Sequence, residues 1–402
     1  MTGRPLDGIR VIDLTMYVAG PLCTQQLADL GAEVVKVERP PGGDVYRRQG
    51  PEFIDGQSIS FLALNKGKQS VVLDLKSDDG RAVMRRLLTT ADVLVHNFRP
   101  GTAARLGLAS DDVAAINPRV VYATVSGYGG AGPKGDQGGY DLMMQGECGL
   151  MEATGHPDRP PAKAGFAVVD INAASNLAFG IVAALLGRER TGTAPAVESS
   201  LYETSIAMGT ILAERYLAHG AVPTRNGSAS PLFSPYQAYR TSDGYFTVEG
   251  TGPPGAWERF CQAIGLGDLV DHPDFATNGD RVQHQEELRR EVETRTVEHP
   301  TDDWIERLQS HGLPCGPIQP IGDALDSDQT AALGLVVDVA HPGSGSYRSL
   351  RNPLRMGGEA MPPRAGPPRL GQHTADVLAT LGYDDDEIAR LASGGAIALE
   401  GS

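Results

Sequence analysis

Short runs of β-branched residues alternate with amphipathic stretches along the first 200 residues of the chain. The runs have the length of buried strands, and the stretches between them repeat apolar side chains at helical spacing. Such alternation predicts an α/β fold with a parallel, doubly wound sheet, which binds ligands at the carboxyl ends of its strands. The predicted strands are residues 9–14, 33–37, 71–75, 92–95 and 120–125, and the clearest helices are residues 21–30 and 80–88.

The pattern changes after about residue 220. Residues 223–234 are rich in Pro, Gly and Ser, which is typical of a linker or loop. Beyond them one strand, 245–248, and three amphipathic helices, 256–264, 283–297 and 301–311, are predicted. Gly343 to Pro368 is expected to run extended over a surface, and two short helices, 374–381 and 385–391, follow it.

This change of pattern predicts two domains. The large domain comprises residues 1–200 and is completed by residues 330–402, whereas residues 225–325 form a smaller α+β domain. Residues 201–224 and 326–345 are interpreted as linkers.

Asp170 is the most informative polar residue, because it stands between two apolar stretches. A strand-like run, 164–169, precedes it, and a helical pattern, 171–186, follows it and is expected to be largely buried. One interpretation is that Asp170 caps this helix by accepting hydrogen bonds from the open amides of its first turn. Another is that Asp170 is a nucleophile, kept ionised despite burial by the partial positive charge of the helix N-terminus. The two interpretations are compatible.

Composition limits the class of protein. The 402 residues are 41% hydrophobic and 21% charged, as in ordinary globular proteins, and the net charge of −15 argues against a nucleic-acid or membrane-surface partner. The N-terminal sequence lacks an apolar targeting segment, and the run 171–187 is too short and too polar to span a bilayer. We therefore expect a cytoplasmic protein. Its four cysteines are widely spaced, which indicates neither a disulfide framework nor a metal site.

The charge is unevenly distributed. Residues 34–105 contain twelve Lys and Arg against eight Asp and Glu, a local excess of four positive charges. Such an excess is either a solvated face or a site for a phosphorylated ligand. Residues 127–132 match the dinucleotide-binding pattern G-x-G-x-x-G, but 133–139 continue the loop where that pattern requires a helix. Dinucleotide binding is therefore disfavoured.

Several ordered motifs resemble the signature stretches of the class III CoA-transferases, the CaiB/BaiF family. The resemblance extends from Leu6 to about Leu391, nearly the whole chain. The motifs are Asp13-Leu14-Thr15 with Ala19-Gly20-Pro21, residues 30–38, Asn65-Lys66-Gly67-Lys68, Asn97-Phe98-Arg99-Pro100-Gly101, Gly139-Tyr140-Asp141 and Leu370-Gly371-Gln372-His373-Thr374.

The resemblance implies a Rossmann-like large domain and an interlocked homodimer. It implies acyl-CoA and a small carboxylic acid as partners in the reaction, coenzyme A as the cofactor, and no metal. Asp170 would attack the thioester and carry CoA through an anhydride and an aspartyl-CoA thioester. Backbone amides near Gly129, Gly130 and the start of the Asp170 helix are candidates to stabilise the oxyanions. The implied contacts to CoA and its thioester are Ala19, Arg39, Leu73, Lys76, Asn97, Phe98, Arg105 and Tyr140.

Two departures from relatives bear on the reaction. Val18 stands where formyl-CoA transferase has a glutamine, and residues 226–230 lack that enzyme's glycine run, so oxalate or formate is not indicated as the acid. The racemase branch of the family uses a histidine at the position of Tyr140 and a glutamate in the stretch corresponding to 251–254, which contains no acid here. Racemisation or isomerisation, and CoA binding without catalysis, are the alternatives to CoA transfer.

Overall fold

The chain forms two compact units in a computed structural model that describes residues 3–252 and 254–401. Unit 1 contains the described residues up to Leu150, residues 164–214 and those from Gln329 onward. Unit 2 contains the described residues of 151–163 and 215–328. The polypeptide therefore passes between the two units four times.

Strands and helices alternate through the first half of the chain. The strands are β1 (Arg10–Leu14), β2 (Glu33–Glu38), β3 (Phe53–Ile54), β4 (Gln57–Ser58), β5 (Lys68–Leu73), β6 (Val93–His96), β7 (Val121–Ser126) and β8 (Val197–Ser200). The helices are α1 (Ala19–Asp29), α2 (Ile59–Leu64), α3 (Asp78–Leu88), α4 (Thr102–Arg105), α5 (Ser110–Ile116), α6 (Asp141–Glu147), α7 (Val168–Thr191), α8 (Leu201–Met208) and α9 (Thr210–His219).

The second half contains shorter elements. Its strands are β9 (Tyr236–Arg240), β10 (Tyr245–Glu249), β11 (Cys315–Pro317), β12 (Val336–His341), β13 (Gly345–Leu350), β14 (Asn352–Met356), β15 (Glu359–Met361) and β16 (Ile397–Ala398). Its helices are α10 (Ala256–Ile264), α11 (Asn278–Gln283), α12 (Gln285–Thr296), α13 (Thr301–Ser310), α14 (Ile321–Leu325), α15 (Asp328–Leu333), α16 (Thr374–Thr380) and α17 (Asp385–Ser393).

The main sheet of unit 1 has the strand order β16-β5-β2-β1-β6-β7-β8. All neighbouring strands are parallel except β16, which pairs antiparallel with β5. Numbered in chain order, the six parallel strands have the order 3-2-1-4-5-6 of the Rossmann fold. The predicted parallel α/β sheet is confirmed. Because the winding reverses between β1 and β6, a ligand crevice is expected at the carboxyl ends of these two strands.

Helices cover both faces of the sheet. On one face, α1 and α7 pack against the strands through fully buried side chains such as Leu27 and Ile181. On the other face, α3, α5, α16 and α17 pack through Leu87, Leu378 and their neighbours. The central strands are rich in Val and Ile because side chains on both of their faces are removed from water.

Helix α7 differs from its prediction in two ways. Residues 164–167 do not form a strand, and the helix already begins at Val168. Only one face of the helix is buried, since Phe179 is 78% and Leu186 is 53% exposed. The expectation of a largely buried helix is therefore wrong for its outer face. By length and apolar composition α7 also meets the criterion for a membrane-spanning helix, but core helices meet that criterion as well.

Three further segments differ from the sequence interpretation. Residues 197–200 add the parallel strand β8, whose short and largely polar sequence gives no strand signal. Residues 201–219, interpreted as part of a linker, form α8 and α9, and Leu201 and Thr204 are buried. The Gly/Pro-rich segment lies largely in two antiparallel strand pairs, β12 with β13 and β14 with β15.

Unit 2 has a core of its own. Strands β9, β10 and β11 form an antiparallel sheet, and the predicted strand and three helices are all present. Phe246 of the sheet packs in one cluster with Phe260 of α10, Val292 of α12 and Trp304 of α13. Because these side chains are nearly inaccessible to water, unit 2 has the hydrophobic core of an independent compact body.

Candidate active site

Two cavities open at the carboxyl ends of the parallel strands. One is lined mainly by residues that follow β1, β2 and β5, and the other by residues that follow β1, β6, β7 and β8. Phe98 lines both cavities. All nine residues assigned to the site from the sequence line one cavity or the other: Arg39, Leu73, Lys76, Phe98 and Arg105 line the first, and Ala19, Asn97, Phe98, Tyr140 and Asp170 line the second.

The first cavity, of about 320 Å³, combines apolar walls with positive charge. Leu73 and Val37 are buried at its strand ends, whereas the side chains of Arg39, Lys76 and Arg105 are exposed to solvent. Walls of this kind suit a ligand that joins an apolar part to phosphate groups.

The second cavity, of about 270 Å³, contains Asp170. Asp170 is partly buried in the first turn of α7, and within the described residues no hydrogen-bond donor contacts its carboxylate. Burial raises the pKa of Asp170, and the negative charge of Asp141 raises it further, to about 7. A carboxylate without donors keeps its lone pairs available for attack on an electrophile.

Asp141 performs the capping role that the sequence suggested for Asp170. Its Oδ1 accepts hydrogen bonds from the backbone N–H groups of Val169 at 2.8 Å and of Asp170 at 3.3 Å. Its Oδ2 accepts a bond from the fully buried Gln145, whose own Oε1 accepts the N–H of Ala164 at 2.9 Å. This chain of contacts fixes the start of α7 and thereby the position of the Asp170 side chain.

The role of Asp141 was missed from the sequence. It belongs to the Gly139-Tyr140-Asp141 motif, but it precedes Asp170 by 29 residues, so no local pattern connects the two. The spacing rules for caps consider residues within one turn and do not detect a cap supplied by another helix. The available signal for this role was that Asp141 is an acidic residue in a family motif but had no chemical role assigned to it.

The suggested oxyanion donors are not supported. The amides of Val169 and Asp170 are already bonded to Asp141, and Gly129 and Gly130 do not line the Asp170 cavity. Gly127 and Gly139 do line it. A Cβ atom on Gly127 would lie 2.4 Å from the backbone nitrogen of Gly139, and a Cβ atom on Gly139 would lie 2.4 Å from the side chain of Met144. The Gly-rich loop therefore serves close backbone packing at the cavity, and no helix follows it until residue 141.

A cluster of buried charges lies at the end of β1. Asp13 and Lys68 are 3.0 Å apart, Lys36 and Asp44 are 3.0 Å apart, and none is more than 2% exposed. Burial favours neutral Asp13, but the charges of Lys36 and Lys68 outweigh it and lower the pKa of Asp13 to about 2. Lys36 also donates to the carbonyl oxygen of Thr15 at 2.7 Å. The two lysines therefore hold the segment after β1 in place.

The cationic excess in residues 34–105 has two uses. The two lysines of this cluster and Arg47, which pairs with Glu38, are buried in ion pairs. Arg39, Lys76 and Arg105 line the first cavity instead. Counting charges along the sequence could not distinguish the cations that stabilise the sheet from those available to a ligand.

A larger cavity, of about 710 Å³, lies elsewhere in unit 1 among α1, α7 and the β13–β14 segment. Its walls are mostly apolar and contain none of the nine assigned residues. We assign the candidate site to the strand ends because the partly buried carboxylate of Asp170 and the exposed cations lie there. Among residues 3–252 and 254–401, no group of three or more His, Cys, Asp or Glu side chains is placed to hold a metal ion.

The Rossmann strand order defines an α/β protein with two cavities at the carboxyl ends of its strands, one lined by Asp170 and the other by Arg39, Lys76 and Arg105. The chain belongs to CoA-transferase family III, whose sequence profile matches residues 6–374. It is 38% identical over 383 residues to the succinate–glutarate CoA-transferase of Agrobacterium fabrum, with 94% of this chain and 96% of the relative covered. The mouse succinyl-CoA:glutarate CoA-transferase is 36% identical over 396 residues, with 98% and 90% covered.

Solved structures agree with this membership. The crystal structure of a CaiB/BaiF family protein from Brucella suis superposes with a TM-score of 0.85 at 36% sequence identity. The match covers 94% of this chain and 100% of that chain. The resemblance to the class III CoA-transferases that the motifs indicate is confirmed.

Proposed function

We propose that this protein transfers CoA from an acyl-CoA donor to a carboxylic-acid acceptor, with Asp170 as the covalent nucleophile. One observation carries the proposal: Asp170 is a partly buried carboxylate that receives no hydrogen bond from any residue the structure describes. Its cavity shares Phe98 with the cavity lined by three cations. CoA bound along the cationic cavity would extend its thioester past Phe98 toward Asp170. Family membership and the names of the relatives support the same reaction.

The first half-reaction forms a covalent enzyme. A carboxylate oxygen of Asp170 attacks the carbonyl carbon of the donor thioester, the carbon–sulfur bond breaks, and CoA leaves as a thiolate. The product is a mixed anhydride between the donor acid and Asp170. The thiolate then attacks the aspartyl carbonyl carbon, the anhydride carbon–oxygen bond breaks, and the donor acid leaves as a carboxylate. An aspartyl-CoA thioester remains.

The second half-reaction reverses these steps with the acceptor acid. Its carboxylate attacks the aspartyl thioester and releases the thiolate, which then attacks the acceptor carbonyl and regenerates the Asp170 carboxylate. One thioester is consumed and one is formed, so the sequence balances without ATP. Coenzyme A is the only cofactor that these steps require.

The environment of Asp170 fits this role. Nucleophilic attack requires the ionised carboxylate, and a pKa raised to about 7 leaves a useful fraction ionised at neutral pH. A raised pKa also makes the carboxylate more nucleophilic once it is ionised. The bonds from Asp141 to the first turn of α7 keep the carboxylate in one position for both half-reactions.

Short dicarboxylic acids are the substrate class that we propose. Relatives with 33–38% identity are named for succinate, glutarate, D-citramalate and oxalate. The Asp170 cavity, at about 270 Å³, accommodates a small acid in addition to the end of a thioester.

The experiment that tests the proposal combines CoA exchange with trapping. Acyl-CoA donors and carboxylic acids are mixed with the protein, and new acyl-CoA products are identified by mass spectrometry. Borohydride added after acyl-CoA should reduce the side chain at position 170, and peptide mass spectrometry should find the modification there. Asp111→Asn, at an exposed position of α5, is the matched control and should be trapped like the wild type. Trapping at another residue, or no exchange with any pair, would refute the proposal.

The racemase alternative is tested separately. Racemisation needs an acid and a base on opposite faces of the α-carbon, and Tyr140 stands where the racemase branch has a histidine. The stretch 251–254 contains no acid, and its Pro253 lies outside the described residues. We expect no deuterium incorporation at the α-carbon of a 2-methylacyl-CoA in deuterated water. Incorporation at a catalytic rate, abolished by Tyr140→Phe, would assign the protein to the racemase branch.

We further propose that the protein is a homodimer and is cytoplasmic. The outer face of α7 and helix α8 support dimerisation, since Phe179, Leu186, Tyr202 and Ile206 are 38–78% exposed on one unit. Apolar side chains exposed together mark surfaces that another chain covers. Light scattering should give about twice the 42.5 kDa mass of the chain, and a monomer at every concentration would refute the dimer.

A further inference from the structure

Tyr17 has a strained backbone at the wall of the Asp170 cavity. Its φ of +69° lies in the left-handed region, which bulky side chains rarely adopt. Tyr17 lines the cavity together with Asp170 and Tyr140. Strain of this kind persists only where neighbouring contacts fix the backbone, and such residues concentrate at functional sites.

Three hydrogen bonds hold the backbone of residues 16 and 17. The side chain of Asn97 accepts the N–H of Met16 at 3.0 Å and donates to the carbonyl oxygen of Met16 at 2.7 Å. Asp44 accepts the N–H of Tyr17 at 3.4 Å and is itself paired with the buried Lys36. The conformation of residues 16–17 is therefore tied to the buried charge cluster, and the Tyr17 side chain is held where it is.

The ring of Tyr17 is also fixed. It contacts Tyr46 and Tyr140 edge to face, each with ring centroids 5.7 Å apart. Burial raises the pKa of Tyr17, and the interaction with the Tyr140 hydroxyl raises it further. The phenol therefore stays protonated at neutral pH, and its hydroxyl interacts with that of Tyr140 at the cavity wall.

The same cavity contains an unpaired cation. Arg99 lines it, and its positive charge acts on the hydroxyl of Tyr17. In the part of the chain that the structure describes, the Arg99 guanidinium makes neither an ion pair nor a hydrogen bond. A guanidinium beside a phenol donor is a combination that binds a carboxylate. Asp170 and Asp141 would repel such an anion if Arg99 did not balance them.

We propose that Tyr17 and Arg99 bind the distal carboxylate of a dicarboxylic acid while its other carboxyl group reacts at Asp170. Tyr17 is then a specificity-determining residue, positioned by its strained backbone. The inference rests on the proposed function and adds the two residues that select the acid. A monocarboxylic acid of the same length offers no distal carboxylate to Tyr17 and Arg99 and should react more slowly.

The test compares acids of matched length. With one acyl-CoA donor, kcat/KM is measured for succinate against butyrate and for glutarate against valerate. The variants are Tyr17→Phe, which removes only the hydroxyl, and Arg99→Gln, which removes the charge. Tyr383→Phe is the matched control, because Tyr383 packs against Arg86 and lines neither of the two cavities.

We expect the wild type to prefer both dicarboxylic acids. Tyr17→Phe should reduce the preference about tenfold and Arg99→Gln by up to about a hundredfold, the range for hydrogen bonds to charged groups. In Tyr17→Phe, kcat/KM should fall more for the dicarboxylic acids than for the monocarboxylic acids. Tyr383→Phe should preserve the preference.

Two results would overturn the inference. One is an unchanged preference in both active variants, and the other is an equal loss for mono- and dicarboxylic acids, which indicates a merely structural role. Circular dichroism checks the fold, and if Tyr17→Phe does not fold, Arg99→Gln decides alone. Wild-type protein that transfers CoA to no acid refutes the proposed function itself, so the two failures are distinguishable.

Discussion

Asp13 and Asp170 are both withdrawn from water in unit 1, yet their carboxyl groups are opposite in character. Burial acts on both in the same direction, but two lysines and Thr15 lower the pKa of Asp13 to about 2. Asp170 has a second carboxylate as its charged neighbour, and its pKa rises to about 7. The neighbours, and not the burial, determine whether a carboxylate supports the fold or remains free to react.

The largest expected effect is a loss of activity on substitution of Asp170, which distinguishes this residue from Asp13. Asp170→Asn should reduce CoA transfer by about 10⁴-fold or more, because an amide cannot form the anhydride. The fold and the binding of free CoA should be retained, since no hydrogen bond depends on the Asp170 carboxylate among the described residues. Steady-state kinetics and calorimetric CoA binding measure the two properties. Full activity in this variant would exclude Asp170 as the nucleophile.

Asp13→Asn should instead affect stability. Removing the charge leaves Lys36 and Lys68 buried with less compensation, so the free energy of unfolding should fall by about 3–5 kcal/mol. Urea denaturation measures the change, with exposed Asp111→Asn expected within about 0.5 kcal/mol of the wild type. An unchanged midpoint for Asp13→Asn would show that the cluster does not stabilise the fold.

The pH dependence of the reaction should follow the raised pKa of Asp170. Because attack requires the carboxylate, kcat/KM should rise with pH through about 7. Asp141→Asn retains an oxygen for the amides of α7 but removes the like charge, so the midpoint should move to lower pH by up to about one unit. Rate profiles from pH 5 to 9 provide the measurement. A midpoint unaffected by Asp141→Asn would assign the ionisation to another group.

The smallest expected effect concerns stability at Asp170. A pKa raised on folding means that the folded protein binds this proton more tightly, so stability from this group is lost as pH rises from about 4 through about 7. Asp170→Asn should therefore raise the free energy of unfolding by up to about 4 kcal/mol at pH 8 and change little at pH 4. Denaturation curves at both pH values test this, and a gain of equal size at both would point to a cause other than ionisation.

The parallel sheet was predictable because its strands are buried on both faces and read as continuous β-branched runs. β8 was not, because Val197–Ser200 has only one strongly apolar residue and its pairing with β7 depends on the tertiary fold. The run 164–169 has strand-like composition, but the contacts of Asp141 and Gln145 start a helix within it. Local propensity fails where a distant side chain decides the backbone conformation.

The nine residues that the family motifs assign to the site all line the two cavities, so their proximity was predictable from the sequence. The role of each residue was not predictable. Asn97, expected to contact CoA, uses both ends of its carboxamide on the backbone of Met16. Such roles depend on which atoms meet across the switch point, and this information is absent from spacing along the chain.

Strand β16 and helices α16 and α17 complete the sheet and one of its two cores from the far end of the sequence. During synthesis on the ribosome, β5 therefore emerges more than 300 residues before the strand that covers its edge. Until residues 374–398 have been made, the nascent sheet presents an open edge beside the apolar surface of α3, a combination prone to aggregation. Chains that end before residue 374 are therefore expected to aggregate more readily than the full chain.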